Sequence, residues 1–247
     1  MAEEHVSPLH QFVIKPIVPL HVGHLDLSYT NSALFMTVTV VLVTLFTVLT
    51  TSGAGLVPTR WQSTAELVYE FVANMVRDNV GSQGRKYFPF IFSLFMFILF
   101  GNLIGMVPYT FTFTSHIVVT FAMALFIFVA VTAIAIARHG FHFFSYFAPK
   151  GVPWVMQLLL VPIEIISYLI RPCTLAIRLF ANMMAGHTML AVFASFVVGL
   201  GIIGGWLPFI FMVLLMALEV LIAFLQAYVF AVLSSIYLND AHHAAEH

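Results

Sequence analysis

Apolar residues run almost unbroken through this chain, and its polar residues gather in short clusters between the runs. Crossing the hydrocarbon of a bilayer takes about 20 predominantly apolar residues in a helix. The run 33–49 stops before the helix breakers Gly53, Gly55 and Pro58 and predicts a first span. Runs 87–107 and 116–137 predict a second and a third. The runs 154–198 and 207–238 are each longer than one upright crossing needs, so their helices must tilt, bend or break. Gly199, Gly201, Gly204 and Gly205 supply the turn between them.

Segment 63–80 follows another rule. Leu67, Val68, Phe71, Val72, Met75 and Val76 recur at helical spacing, and Glu66, Glu70, Asn74, Arg77 and Asp78 fill the other side. This predicts an amphipathic helix lying on the membrane surface or packed on a partner. Ser63 with Glu66 fits a capping box and places its start. In Gly101-Asn-Leu-Ile-Gly105 the paired glycines predict a close helix–helix approach. Residues 1–30 carry Glu3, Glu4 and Asp26 and lack a basic start followed by an apolar core, so they read as a polar arm. The expected fold is all-α, a polytopic membrane helical protein with five membrane segments plus one amphipathic surface helix. All of it, 1–247, reads as one domain.

Composition supports that class. The chain is 62% hydrophobic and only 8% charged, whereas a soluble domain is about one quarter charged. A net charge of −1 without a basic run gives no reason to expect nucleic acid. The single cysteine, Cys173, excludes an internal disulfide and a cysteine metal cluster. His242-His243 is too isolated to make a metal site, and nothing in the pattern calls for a cofactor. No His-Glu-x-x-His or nucleophile–base pairing points to an intramembrane protease. Arg60, Arg77, Arg85 and Lys86 follow the first span, and Arg138 and Lys150 follow the third, whereas turns 108–115 and 199–206 hold no Lys or Arg. Basic loops stay cytoplasmic, which places the amino terminus outside and the carboxyl terminus inside. Trp61, Tyr87, Tyr109, Trp154, Trp206 and Tyr237 fall near segment ends, as interfacial anchors do.

The polar residues inside the long runs carry the chemistry. At about 3.6 residues per turn, positions seven or eleven apart share a helix face. Glu164, Ser167, Arg171, Thr174, Arg178 and Asn182 therefore form one polar stripe. Arg178 keeps its charge under all conditions, and a mid-membrane arginine costs about 2.5–3.5 kcal/mol on insertion scales, so it should face protein or water. Its structural alternative is a salt bridge to Glu219. His187 lies half a turn off the stripe and is expected to face the last segment, where Glu219, Gln226 and Tyr237 share a face. Glu219 and His187 are the titratable candidates for proton exchange, or a structural pair. Asn182 and Gln226 can also serve as interhelical hydrogen-bond partners, and Glu164 and Arg171 as partners of each other.

Arg178-Leu-Phe-Ala-Asn-Met-Met-Ala-Gly-His187, with Glu164 upstream and Leu225-Gln-Ala-Tyr-Val-Phe230 downstream, resembles subunit a of the rotary F-type ATP synthase membrane sector. Gly101-Asn-Leu-Ile-Gly-Met-Val-Pro108 and Phe147-Ala-Pro-Lys-Gly-Val-Pro153 resemble weaker motifs of that family. The resemblance implies a proton-conducting stator, non-catalytic by itself, with two offset half-channels facing a ring of c subunits. Arg178 would be the stator charge, flanked by Asn182 and Gln226. His187 and Glu219 would line the outer half-channel, and Glu164 would stand near the cytoplasmic exit. The partners implied are the c-ring, b-type peripheral-stalk subunits, the rest of the ATP synthase and membrane lipid. The last two helices, 154–238, would form a tilted hairpin. Many bacterial members carry an acid directly after the Ala-Gly pair and a histidine on the final helix. Here the two are exchanged, as in mitochondrial relatives, which leaves the order of proton handling between His187 and Glu219 open. The longer amino-terminal arm favours a bacterial inner membrane. A self-contained secondary transporter or ion channel is the alternative, although no matching halves are visible.

Overall fold

The computed structural model describes residues 12–19, 21–22, 25–26, 28–52, 59–107, 110–140 and 154–243. Helix dominates them: α1 (Asn31–Thr51), α2 (Arg60–Val80), α3 (Phe88–Gly105), α4 (Ile117–His139), α5 (Trp154–Gly199), the single turn α6 (Gly201–Gly204) and α7 (Trp206–His243). Five of these contain stretches long and apolar enough to cross a membrane: Asn31–Thr51, Phe88–Gly105, Ile117–Ala137, Met156–Gly199 and Trp206–Asn239. The five expected membrane segments are therefore present, and the all-α class holds.

Both overlong runs are unbroken. α5 has 46 residues with Pro162 and Pro172 inside it, and α7 has 38. At about 1.5 Å per residue they extend roughly 70 and 57 Å. Neither can stand upright in hydrocarbon about 30 Å thick. Between them Gly201 takes a φ of 62°, a left-handed conformation that costs glycine little.

α1 shows how a threonine-rich helix suits lipid. Thr37, Thr39, Thr44, Thr47, Thr50 and Thr51 each donate to the carbonyl four residues back. No hydroxyl of this set is left bare where water is scarce. Val40, Val41, Leu45 and Leu49 stay exposed, a face that hydrocarbon solvates and water would not.

Two features differ from expectation. α2 begins at Arg60, capped by Thr59, whose hydroxyl accepts from the Gln62 amide. Ser63 is thus inside the helix, and Glu66 accepts from the Gln62 side chain instead of closing a capping box. Thr59 supplies the same capping chemistry one turn earlier. The arm is not wholly irregular either: β1 (Pro16–Val18) pairs with β4 (Tyr29–Thr30), and β2 (His21–Val22) with β3 (Leu25–Asp26). Pairs this short carry too few residues for an alternation to show in the sequence.

The chain divides into two compact units. The first comprises Met1–Ala54, Met96–Ile117 and Leu179–Ala227, the second Gly55–Phe95, Val118–Arg178 and Tyr228–His247. In the first, Phe113, Leu179, Met183 and Ala223 are fully or almost fully buried. The second buries Val72, Val76, Phe95 and Phe230. Within it the apolar face of α2 meets aromatic rings: Phe71 lies 6.1 Å from Phe95 and 5.6 Å from Tyr228, and Tyr69 lies 4.7 Å from Phe88. Glu66, Glu70, Asn74, Arg77 and Asp78 are exposed, and so is Leu67, which the spacing put on the apolar face. The motif at 147–153 lies outside the described residues.

Candidate functional site

α5 carries two unlike faces. Pro172, Leu175, Ala176, Leu179, Met183 and His187 are buried, a three-and-four spacing that points one stripe of the helix into protein. About a third of a turn away runs the polar stripe, where Ser167, Thr174 and Arg178 are exposed and Glu164 and Asn182 half-buried. Arg171 is also half-buried; its guanidinium lies 5.6 Å from the Tyr168 ring and 5.2 Å from the Tyr237 ring. That is cation–π range, so two tyrosine rings flank Arg171.

Arg178 differs. It stands near the middle of α5 and is exposed. Among the described residues Arg178 has neither an ion pair nor a hydrogen bond.

The titratable pair lies in the first unit. Glu219 is 3% exposed, and neither of its carboxylate oxygens has a hydrogen-bond partner among the described residues. Its Oε1 lies 3.9 Å from Nδ1 of His187. At that separation a small side-chain rotation or one bridging water completes a hydrogen bond. Gly186 makes the approach possible, because a Cβ there would collide with the Glu219 carboxylate. α5 continues unbroken through Gly186, and the missing side chain is what matters.

His187 is held from its other side. Its Nε2 lies 3.1 Å from Oγ1 of Thr112, and the same hydroxyl lies 3.1 Å from the Gly105 carbonyl at the end of α3. Gly101 and Gly105 were expected to admit a neighbouring helix. Instead they receive the side chains of the following loop, since a Cβ at Gly101 would strike Phe113 and one at Gly105 would strike Thr112. Asn102, wholly buried, accepts from Thr114 at 2.9 Å.

A cavity of about 270 Å³ borders this group, lined by Phe12, Gly105, Thr112, His187 and Met216 among others. One water takes about 30 Å³ of liquid volume, so several fit. Phe12 belongs to the arm. His116 Nε2 donates to its carbonyl at 2.8 Å, and Asn31 pins the next residues by donating to Val13 and accepting from the Lys15 amide. An acid and an imidazole in near contact, beside space for water, can exchange protons with that water.

Structure thus brings His187 and Glu219 together and leaves Arg178 and Asn182 on the outer stripe. Gln226 is buried, its Oε1 unpartnered among the described residues. Sequence reasoning missed Thr112, Gly105 and Phe12. The alternation of aromatic and hydroxyl residues in Phe111-Thr-Phe-Thr-Ser115 was a signal, but its target is 75 residues away.

Comparison with known proteins gives consistent results. The family described as ATP synthase A chain matches residues 33–239. ATP synthase subunit a of Mesorhizobium japonicum is 55% identical over 98% of this chain and 99% of its own length. That of Rhodospirillum rubrum is 56% identical over 95% and 98%, and that of Agrobacterium fabrum 52% identical over 96% and 98%.

Proposed function

We propose a role that starts from the family: the chain belongs to the ATP synthase A chain family, and it works as the proton-conducting stator of that complex. The observation that carries this reading is the exposed guanidinium of Arg178, unpaired among the described residues and midway along a membrane helix. Facing lipid, it would cost about 2.5–3.5 kcal/mol or more. A partner that brings carboxylates to it removes that cost, and a ring of c subunits is such a partner. A carboxylate beside Arg178 is held ionised; protonated, it is neutral and can leave through lipid. The fixed charge also bars protons from passing directly between the two sides.

In this reading protons enter through the cavity beside His187 and Glu219, neutralise a ring carboxylate, and leave toward the cytoplasm near Glu164 after the ring has turned. Asn182 and Gln226 flank the contact with the ring. Each charge crossing 100 mV releases about 2.3 kcal/mol, so several protons must pass for each ATP made. In this reading the basic loops lie in the cytoplasm, with the amino terminus outside and the carboxyl terminus inside a bacterial inner membrane. Alphaproteobacterial relatives support that membrane. The b-type stalk subunits complete the stator, and the chain performs no catalysis alone.

The test compares proton uptake into vesicles holding the complete complex with uptake into vesicles holding this chain alone. The complete complex should take up protons when energised by a potential, and the chain alone should not. Rapid flux of an ion or solute through the isolated chain would favour the transporter alternative. A second expectation concerns Gly186→Ala. A methyl there pushes the Glu219 carboxyl off its position, and the obstacle is the end of a flexible side chain, so the complex should assemble. Proton flux should fall several-fold, and an unchanged rate would show that this contact is not on the path.

A further inference from the structure

Thr112 has one proton to give and two neighbours that could take it. Gly105 is the last residue of α3, where carbonyls have no partner within the helix. It is buried, and Thr112 is the one donor to its carbonyl among the described residues. A buried carbonyl needs a donor, and a carbonyl can only accept. With its proton committed there, the Thr112 oxygen has lone pairs alone to offer His187 Nε2 at 3.1 Å. Nε2 must then carry a hydrogen, and in a neutral imidazole Nδ1 must be bare. Nδ1 is the atom facing Glu219.

We infer that Thr112 is a positioning residue that holds His187 as the Nε2–H tautomer, so that Nδ1 is free to accept the proton of Glu219. The inference rests on the proton-conducting reading given above. The transfer breaks the O–H bond of the Glu219 carboxyl and forms an N–H bond at Nδ1, leaving a carboxylate and an imidazolium; the return step reverses it. In the opposite tautomer Nδ1–H would donate to the carboxylate, and Nδ1 would have no lone pair to receive anything. Thr112 itself exchanges no proton, because its hydrogen stays on the Gly105 carbonyl.

Two variants separate the hydroxyl from the space it fills. Thr112→Ser keeps the donor and acceptor, and Thr112→Val keeps the shape and loses both. In vesicles holding the complete complex, Thr112→Ser should conduct protons within about threefold of the unaltered complex. Thr112→Val should fall by about ten- to a hundredfold, since a misdirected acid–base group forfeits part of an effect of about 10²–10⁴. Should the unaltered complex conduct no protons, the proton-conducting reading itself fails. Should it conduct and Thr112→Val match Thr112→Ser, only the positioning role fails. A measurement on the unmutated complex stands independently of how well the valine variant assembles. With histidine nitrogens labelled and the His187 signals assigned by difference against His187→Asn, solid-state NMR should find Nε2 protonated and Nδ1 bare. The reverse pattern would overturn the inference.

Discussion

Replacing Arg178 by alanine should abolish proton-driven ATP synthesis while leaving the subunit inserted and the complex assembled. Insertion should survive because the change removes a cost: the guanidinium is exposed and pairs with nothing among the described residues. Coupling should not survive, because a methyl group neither holds a ring carboxylate in its ionised form nor repels a proton crossing between the two paths. The loss should exceed about 100-fold, the equivalent of roughly 2.7 kcal/mol. Arg178→Lys should not restore it. A desolvated ammonium can give up its proton, whereas a guanidinium cannot. Blue-native electrophoresis of the membranes reports assembly, and ATP synthesis driven by an imposed pH gradient reports coupling. Normal synthesis by the alanine variant would defeat the stator assignment.

The second large effect is expected at Glu219. Glutamine fills nearly the same space and can neither bind nor release a proton. The carboxyl is buried, has no hydrogen-bond partner among the described residues and stands 3.9 Å from His187. Glu219→Gln should therefore leave the packing of α7 undisturbed and cut passive proton flux on the order of 10²-fold. Glu219→Asp keeps the titratable group and withdraws it by one methylene, so its flux should lie between the two. Flux through the glutamine variant equal to that of the unaltered complex would remove Glu219 from the path and leave it a packing residue.

In the proposed reading these two positions divide the work. Arg178, exposed on α5, acts on a carboxylate brought to it from another chain. Glu219 is enclosed by its own chain beside His187, which lines the cavity. The stripe from Glu164 to Asn182 lies on one continuous helix, and in the proposed reading a ring of parallel helices meets it.

Much of this was determined by the sequence alone. A membrane helix is announced by the run of residues that compose it, so α5 (Trp154–Gly199) and α7 (Trp206–His243) emerge close to the expected 154–198 and 207–238. The polar stripe of Glu164, Arg178 and Asn182 follows from helical period; in the fold Arg178 is exposed and the other two are half-buried. Helix ends were less legible: Thr59 and Ser63 offer the same capping chemistry one turn apart, and local pattern does not choose between them. Tertiary structure alone decided who keeps company with His187. Thr112 lies 75 residues before it, and the space that Gly186 leaves for Glu219 exists only once α5 and α7 are packed. Periodicity orders residues along one helix. Which faces meet, and which buried carbonyl claims a hydroxyl's only proton, depend on contacts between segments that no local pattern encodes.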